Sequence, residues 1–299
     1  IASKLYQKLV APINEILPKR LIIVPHGIFN NVVFDALVVG NNLDTKNIRF
    51  MIHDHAITYC HSIHQLFRDS QNQAKTYHNN FSAFIPFGST KSLKSFQFYS
   101  DIYDETQMNL IISNKKSEAE GSAKINQTYC QYGGQTTGGQ FFEKTNQSKV
   151  LHIGTGIYFN KFQEKLSYIA FPNSLGKVEK LNFYNIENLH LNNKLLILSA
   201  FKLDSILLQN AVNLGAPNLV DGFHKAGVDC LILSMLYHEG VNNREILKLF
   251  HGGLMRKEPV DLALQQSKIA FIEQKKSKLI HPIFWASLNC FGRTQVIFE

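Results

Sequence analysis

The sequence predicts an α/β sandwich, a mostly parallel sheet flanked by helices and shared between two adjoining α/β subdomains. Short apolar runs bounded by turn residues recur along the chain. Runs apolar at consecutive positions read as strands covered on both faces, the condition of a parallel sheet. Helical patterns fall between them, and strands alternating with helices imply right-handed crossovers. With 299 residues, the chain is long enough for one large α/β domain or two smaller ones in contact.

Taken in order, the strands are expected at RLIIVP (20–25), HAITYC (55–60), FSAFIPF (81–87), VLHIG (150–154), LLILSA (195–200), CLILSML (230–236) and SLNCF (287–291). One helix is expected after Asn242 and Asn243, either of which can cap it, with Ile246, Leu249 and Phe250 facing inward. A second begins near Pro259, a residue suited to a first helical turn, and Val260, Ala263, Leu264, Ser267 and Phe271 share one of its faces. The stretch from about Ser89 to Gly121 is polar and poorly periodic, and reads as a loop or junction. We place the subdomain boundary there, giving residues 1–110 and 111–299. No repeat of 20 to 50 residues and no low-complexity tract is visible.

Composition narrows the function classes. The net charge of +8 raises a nucleic-acid partner, but the positive residues are dispersed, the densest groups being Lys115-Lys116 and Lys275-Lys276 with Lys278. Dispersed charge reads as a solvated surface rather than a phosphate-binding face. No stretch approaches the ~20 apolar residues that span a bilayer, and no signal sequence opens the chain. The opening residue, Ile1, reads as the start of a fragment or a processed chain, with any targeting segment or preceding domain cut away. Cys60, Cys230 and Cys290 lie in or beside apolar strands, which suits buried free thiols in a reducing compartment, the cytoplasm by default.

Several segments raise chemistry. His53, His55, His61 and His64 surround Asp54 and Cys60, all acceptable to zinc, but no second ligand group stands at a matching spacing, so a polar strand edge and turn is the preferred reading. The segment YGGQTTGGQ (132–140) lacks the Lys-Ser/Thr ending of a phosphate-binding loop, and reads as a turn into a helix capped by Thr136 or Thr137. Nucleophilic catalysis needs a Ser, Cys or Thr at a sharp strand end beside a base. The strand LLILSA instead runs into Phe201 and Lys202, with Ser199 inside it. His152, alone in an apolar strand, reads as a satisfied core residue. No cofactor and no metal is expected.

The order of these segments resembles the CHAT domain, a caspase-like branch of the cysteine peptidases related to caspases, gingipains and separases, which typically follows tetratricopeptide repeats in bacterial proteins. LYQKLVAPINEILPKRLIIVPHGIFNNVVFDAL (5–37) is similar to the family's opening helix, strand and Pro-Asp-Gly turn, with His26 in place of the Asp. HAITYCHSIHQL (55–66), the acidic SEAEGSAKI (117–125), VLHIGTGIYFN, LLILSAFKL, AGVDCLILSML and HPIFWASLNCFG (281–292) follow in the family's order. The resemblance implies a caspase-like fold and a His–Cys dyad, the His in a pattern like His-x-Ala-Thr-His-Gly and the Cys in one like Ser-Ala-Cys-x-Thr. Here the first pattern reads His152-Ile153-Gly154-Thr155-Gly156-Ile157, so the catalytic His falls on Gly156, or is deleted if the gap lies one residue earlier. The second reads Ser199-Ala200-Phe201-Lys202-Leu203, which puts Phe201 at the Cys position. After the fourth strand, where relatives carry a Trp and acidic residues, this chain has Tyr237-His238-Glu239-Gly240.

Without an imidazole no base generates a thiolate, and without a thiol no acyl-enzyme forms. The sequence therefore predicts a catalytically inactive pseudo-protease that binds a protein or peptide segment, with a repeat domain upstream. Its candidate cleft is formed by His152, Gly154, Gly156, Phe201, Lys202 and Tyr237. The competing class is an active cysteine endopeptidase, dependent on a partner or on a displaced dyad. For the displaced dyad, Cys60 beside His61 and His64 is a better candidate than Cys230 in its strand.

Overall fold

The computed structural model describes residues 1–40, 48–63, 76–87, 105–128, 130–132, 138, 141–142, 146, 148–160, 162–173, 178–202, 217–234, 243–274 and 281–298. Their strands form one mixed, mostly parallel ten-stranded sheet. In chain order the strands are β1 (Arg20–Ile23), β2 (Ala56–Tyr59), β3 (Asn79–Ile85), β4 (Cys130–Tyr132), β5 (Ser148–Tyr158), β6 (Tyr168–Pro172), β7 (Val178–Asn182), β8 (Leu195–Lys202), β9 (Cys230–Ser234) and β10 (Leu288–Gly292). Their spatial order is β1-β2-β10-β9-β8-β5-β3-β4, and the β6–β7 hairpin pairs onto the far end of β5. Strands from both sides of residue 110 thus interleave in a single sheet.

All seven expected strands form, and β5 and β8 run at least two residues beyond the carboxyl ends of their apolar runs. β5 continues through Gly156 to Tyr158, and β8 through Phe201 to Lys202. The short strands β4, β6 and β7 are additional to these; β4 and β7 carry no apolar run, whereas β6 does, in Tyr168-Ile169-Ala170-Phe171. β1 departs from the prediction of two covered faces, because it is the end strand of the sheet and exposes Arg20 and Ile22.

Helices α1 (Ala2–Leu9), α2 (Glu105–Ile125), α3 (Phe183–Ile186), α4 (Pro217–Lys225), α5 (Arg244–Met255) and α6 (Val260–Gln274) cover the sheet. Alternation along the central strands splits their side chains between two apolar layers. Leu151, Ile153, Leu196, Leu198, Leu231 and Leu233 enter one layer with Phe142 and Phe223. Val150, Leu195, Ile197, Cys230 and Ile232 enter the other, against Ala119 of α2, Ile246 and Phe250 of α5, Leu264 of α6, and Trp285. Each large apolar side chain so buried contributes about 1.5–3 kcal/mol, which makes this double layer the main source of stability.

The expectation of a loop from Ser89 to Gly121 is corrected where the chain is described, since the part from Glu105 onward belongs to the 21-residue helix α2. Its period is hidden because Lys115 and Glu118 lie on the buried face among Ile111, Ile112, Ala119 and Ala123. The corresponding reading of Lys115 as solvated charge is also corrected. In α5, Ile246 and Phe250 are buried as expected, but Leu247 and His251 complete the inward face and Leu249 is half-buried.

α6 buries Val260, Ala263, Leu264, Ser267 and Phe271 as its sequence indicates, and adds a polar stripe that the sequence reading missed. Asp261 accepts two bonds from the Arg20 guanidinium at 2.7 and 2.8 Å, and Gln265 donates to the Ile52 carbonyl at 2.8 Å. The buried Lys268 ammonium donates to Asp35 at 3.2 Å, while the Tyr59 hydroxyl donates to the other Asp35 oxygen and accepts the Phe34 N–H. This stripe ties α6 to the N-terminal segment through specific polar contacts, each of which would be costly to leave half-made.

Candidate functional site

β5 and β8 run parallel and in register from Val150 opposite Leu195 to Ile157 opposite Lys202. That register sets Gly154 opposite Ser199 and Gly156 opposite Phe201, near the carboxyl ends of two adjacent central strands. In open parallel sheets, the carboxyl ends of the strands are where ligands and reacting groups gather. The two positions that the sequence pattern assigns to the dyad are therefore direct neighbours. Gly156 offers no side chain, and a phenylalanine offers no nucleophile, so neither residue can perform the dyad's chemistry.

Further back on the same face lies a buried polar cluster. Glu118 of α2 accepts the Lys115 ammonium at 3.3 and 3.1 Å, the Ser199 hydroxyl, and the backbone N–H of Asn243 at 2.8 Å. Lys115 also donates to the Ser199 hydroxyl at 3.2 Å, and the Ser287 hydroxyl donates to Asn243 Oδ1 at 2.7 Å. One carboxylate thus joins α2, β8 and the start of α5. Asn243, one of the two residues expected to cap that helix, spends its oxygen on Ser287 instead, and the other, Asn242, lies outside the described residues. Gly154 permits this arrangement, because a Cβ there would lie 2.5 Å from Ile85 Cδ1 and 3.2 Å from Lys115 Cβ. Ser199 and Lys115 stand at a distance suited to a Ser–Lys pair, yet both are buried and both engage Glu118, so the cluster is a structural support.

His152 is fully buried on the same strand. It is a core residue as expected, but it is not satisfied, since neither ring nitrogen has a hydrogen-bond partner among the described residues. Burial lowers its pKa well below the usual imidazole value, and His251 and the Lys115 charge push it the same way. Burial also brings His251 down to about 3. Its ring meets Phe81 edge-on, and its Nδ1 lies 3.2 Å from the Asn126 amide. Two neutral imidazoles therefore sit behind the strand ends, shielded from solvent.

Of the candidate cleft residues, the structure brings His152, Gly154, Gly156 and the backbone of Phe201 and Lys202 onto adjoining strands. Tyr237 lies outside the described residues, as do His64 and Thr136 and Thr137 of the Gly-rich segment. His152, Gly154 and Gly156 are buried. Sequence reasoning missed Lys115 and Glu118. Their spacing of three within a helix is compatible with an ion pair, but also with an ordinary exposed face.

The cysteines are poorly placed for a displaced dyad. Burial raises the Cys60 thiol, which donates to the Ser62 carbonyl at 3.0 Å. Cys230 is held well above the ordinary thiol value, first by its hydrogen bond with Cys290 at 3.4 Å and then by burial. Burial lifts Cys130 to about 12, with Glu120 adding to the effect. Near Cys60, the His61 ring stacks on Phe291, and His55 Nδ1 lies 2.8 Å from the Pro18 carbonyl. Among the described residues, no three His, Cys, Asp or Glu side chains converge as metal ligands.

Topology defines an α/β sandwich in which Gly156 and Phe201, where the family pattern would place the dyad, adjoin on neighbouring central strands. The chain belongs to the CHAT domain family, whose sequence model matches residues 1–293. No curated protein matches the sequence. Among solved structures it is similar to the Arg-specific cysteine proteinase gingipain R, at 12% identity and a TM-score of 0.46. That match covers 99% of this chain and 66% of the gingipain chain, so this chain spans just under two thirds of that relative's length. Among the described residues, no helix is long and apolar enough to cross a membrane.

Proposed function

We propose that this chain is a catalytically inactive CHAT-type pseudo-protease, a cytoplasmic module that binds a protein or peptide segment and works beside an upstream repeat domain. The reading rests on one observation, the register that sets Gly156 directly opposite Phe201. Cysteine-peptidase chemistry needs an imidazole and a thiol at hydrogen-bond range, and this pair supplies neither. Lys115, Ser199, His152 and His251 lie behind the strand ends but are buried, so they support the framework and do not meet a substrate. The binding surface is the outer end of β5 and β8, beyond Gly156 and around Phe201 and Lys202.

The competing reading, an endopeptidase with a displaced dyad, would need a thiol of lowered pKa in an open, electropositive setting. Cys60 and Cys230 are shifted the opposite way. The test is cleavage of a diverse peptide library by the purified chain, read by mass spectrometry beside Cys60→Ala and Cys230→Ala variants. Peptide patterns identical for all three proteins and for a no-protein control are expected. Cuts that disappear in one cysteine variant would establish an active enzyme and overturn the reading.

A further inference from the structure

We propose that His152 of β5 and His251 of α5 enclose an internal water site, in which bound water bridges the two imidazoles and holds α5 to the strand that ends at the candidate cleft. Both residues are fully buried, and both ring nitrogens of His152 and Nε2 of His251 lack a protein partner. A neutral imidazole carries one N–H donor and one acceptor, and leaving either unmet inside an apolar layer is costly. Water held between such groups meets that need and becomes part of the structure. Both imidazoles face the same layer. His152 lies on the face of β5 that carries Val150 and Gly154, and that face is covered by α2 and α5. Lys115 of α2 stands against Gly154. Eleven residues further along the chain, Asn126 meets His251, whose ring in turn lies edge-on to Phe81, the register partner of Val150. α2 therefore runs antiparallel to β5. With a rise of about 1.5 Å per helical residue against about 3.3 Å per strand residue, Ala119 crosses over His152. Ala83 is its register neighbour on β3. Methyl-sized side chains above and beside the ring leave room for water.

Hydrogen bonding settles which ligand fits. The Asn126 amide donates to the Ser122 carbonyl at 2.8 Å, which orients its NH2 group, and the same nitrogen lies 3.2 Å from His251 Nδ1. His251 Nδ1 is therefore the acceptor, and Nε2, on the side of the ring away from Asn126, carries the proton. The site thus offers a donor from His251 and both a donor and an acceptor from His152. Water suits this mixed set because it gives and accepts hydrogen bonds alike. A metal ion would need a lone pair where His251 Nε2 holds a proton, and would lie near the Lys115 ammonium, whose charge already acts on His152. An anion would find no spare positive charge, because Glu118 engages that ammonium at 3.3 and 3.1 Å.

A high-resolution crystal structure of the parent protein tests the proposal directly. Water should lie within about 2.7–3.2 Å of one His152 ring nitrogen and of His251 Nε2. A dry site, a direct imidazole–imidazole bond or an ion in that place overturns it. In solution, nitrogen NMR of histidine-labelled protein should show His251 as the neutral Nε2–H tautomer, and the opposite tautomer is incompatible with the site. Relaxation dispersion of oxygen-labelled water counts long-lived internal waters. Its amplitude should fall in His152→Leu and in His251→Leu, while Cys60→Ala, remote from the site, should keep the parent value. Circular dichroism establishes that each variant is folded. An amplitude unchanged in both folded histidine variants refutes the proposal, and if either variant fails to fold, the parent crystal structure and the tautomer decide it alone.

Discussion

Replacing Glu118 by Gln removes one charge from the cluster behind the strand ends while keeping the side chain's size, so no cavity opens. Both Glu118 and Lys115 are almost completely buried. The substitution leaves the Lys115 ammonium with the Ser199 hydroxyl as its remaining named partner, and weakens the acceptor for the Asn243 N–H. Breaking a buried ion pair from one side costs about 3–5 kcal/mol, because the surviving charge stays desolvated. For a chain of this length, each kcal/mol lowers the midpoint of thermal unfolding by about 2 °C, so a fall of about 6 to 10 °C is expected. Urea unfolding followed by fluorescence and circular dichroism would give the free-energy loss directly. Lys115→Met with Glu118→Gln should recover much of it, since the ammonium is gone, the amide oxygen still accepts the Asn243 N–H, and the amide NH2 donates to the Ser199 hydroxyl. A single variant within about 1 kcal/mol of the parent would refute the account of a tight buried pair. A double variant no more stable than the single would refute the coupling.

Two other outcomes follow from the titrating groups. His152 and His251 are both held below the ordinary imidazole value, His251 at about 3, so the unfolded chain takes up their protons first as pH falls. Stability from both groups is fully present above the unfolded imidazole pKa of about 6.5 and is lost on acidification below it, at up to about 1.4 kcal/mol per pH unit for each ring. His152→Leu should flatten that acid limb by roughly one ring's share in urea midpoints measured across pH, and an unchanged slope would contradict the assignment. The thiols should be silent in the folded protein, given the raised values of Cys60, Cys130 and Cys230. An aromatic disulfide reagent should therefore modify them only as urea unfolds the chain, and fast native labelling of Cys230 would be incompatible with its buried contact to Cys290.

The sequence by itself determined the central strands and the α/β class, because their apolar runs are buried on both faces and composition alone records that. It also supplied the pattern on which the proposed loss of the dyad rests, since Gly156 and Phe201 stand where the family pattern would have the imidazole and the thiol. Helix α6 was legible for the same reason as the strands, its buried apolar positions falling at helical spacing. What the sequence obscured were the places where buried positions are polar. α2 hides its period because Lys115 and Glu118 satisfy each other inside, and α6 buries Asp261 and Lys268 against Arg20 and Asp35, residues more than two hundred positions away. Only the tertiary structure decided that Gly156 faces Phe201, that one carboxylate joins α2, β8 and α5, and that β1 ends the sheet with Ile22 exposed. Those facts depend on which strands lie side by side, and local patterns of polarity do not specify pairings between distant segments.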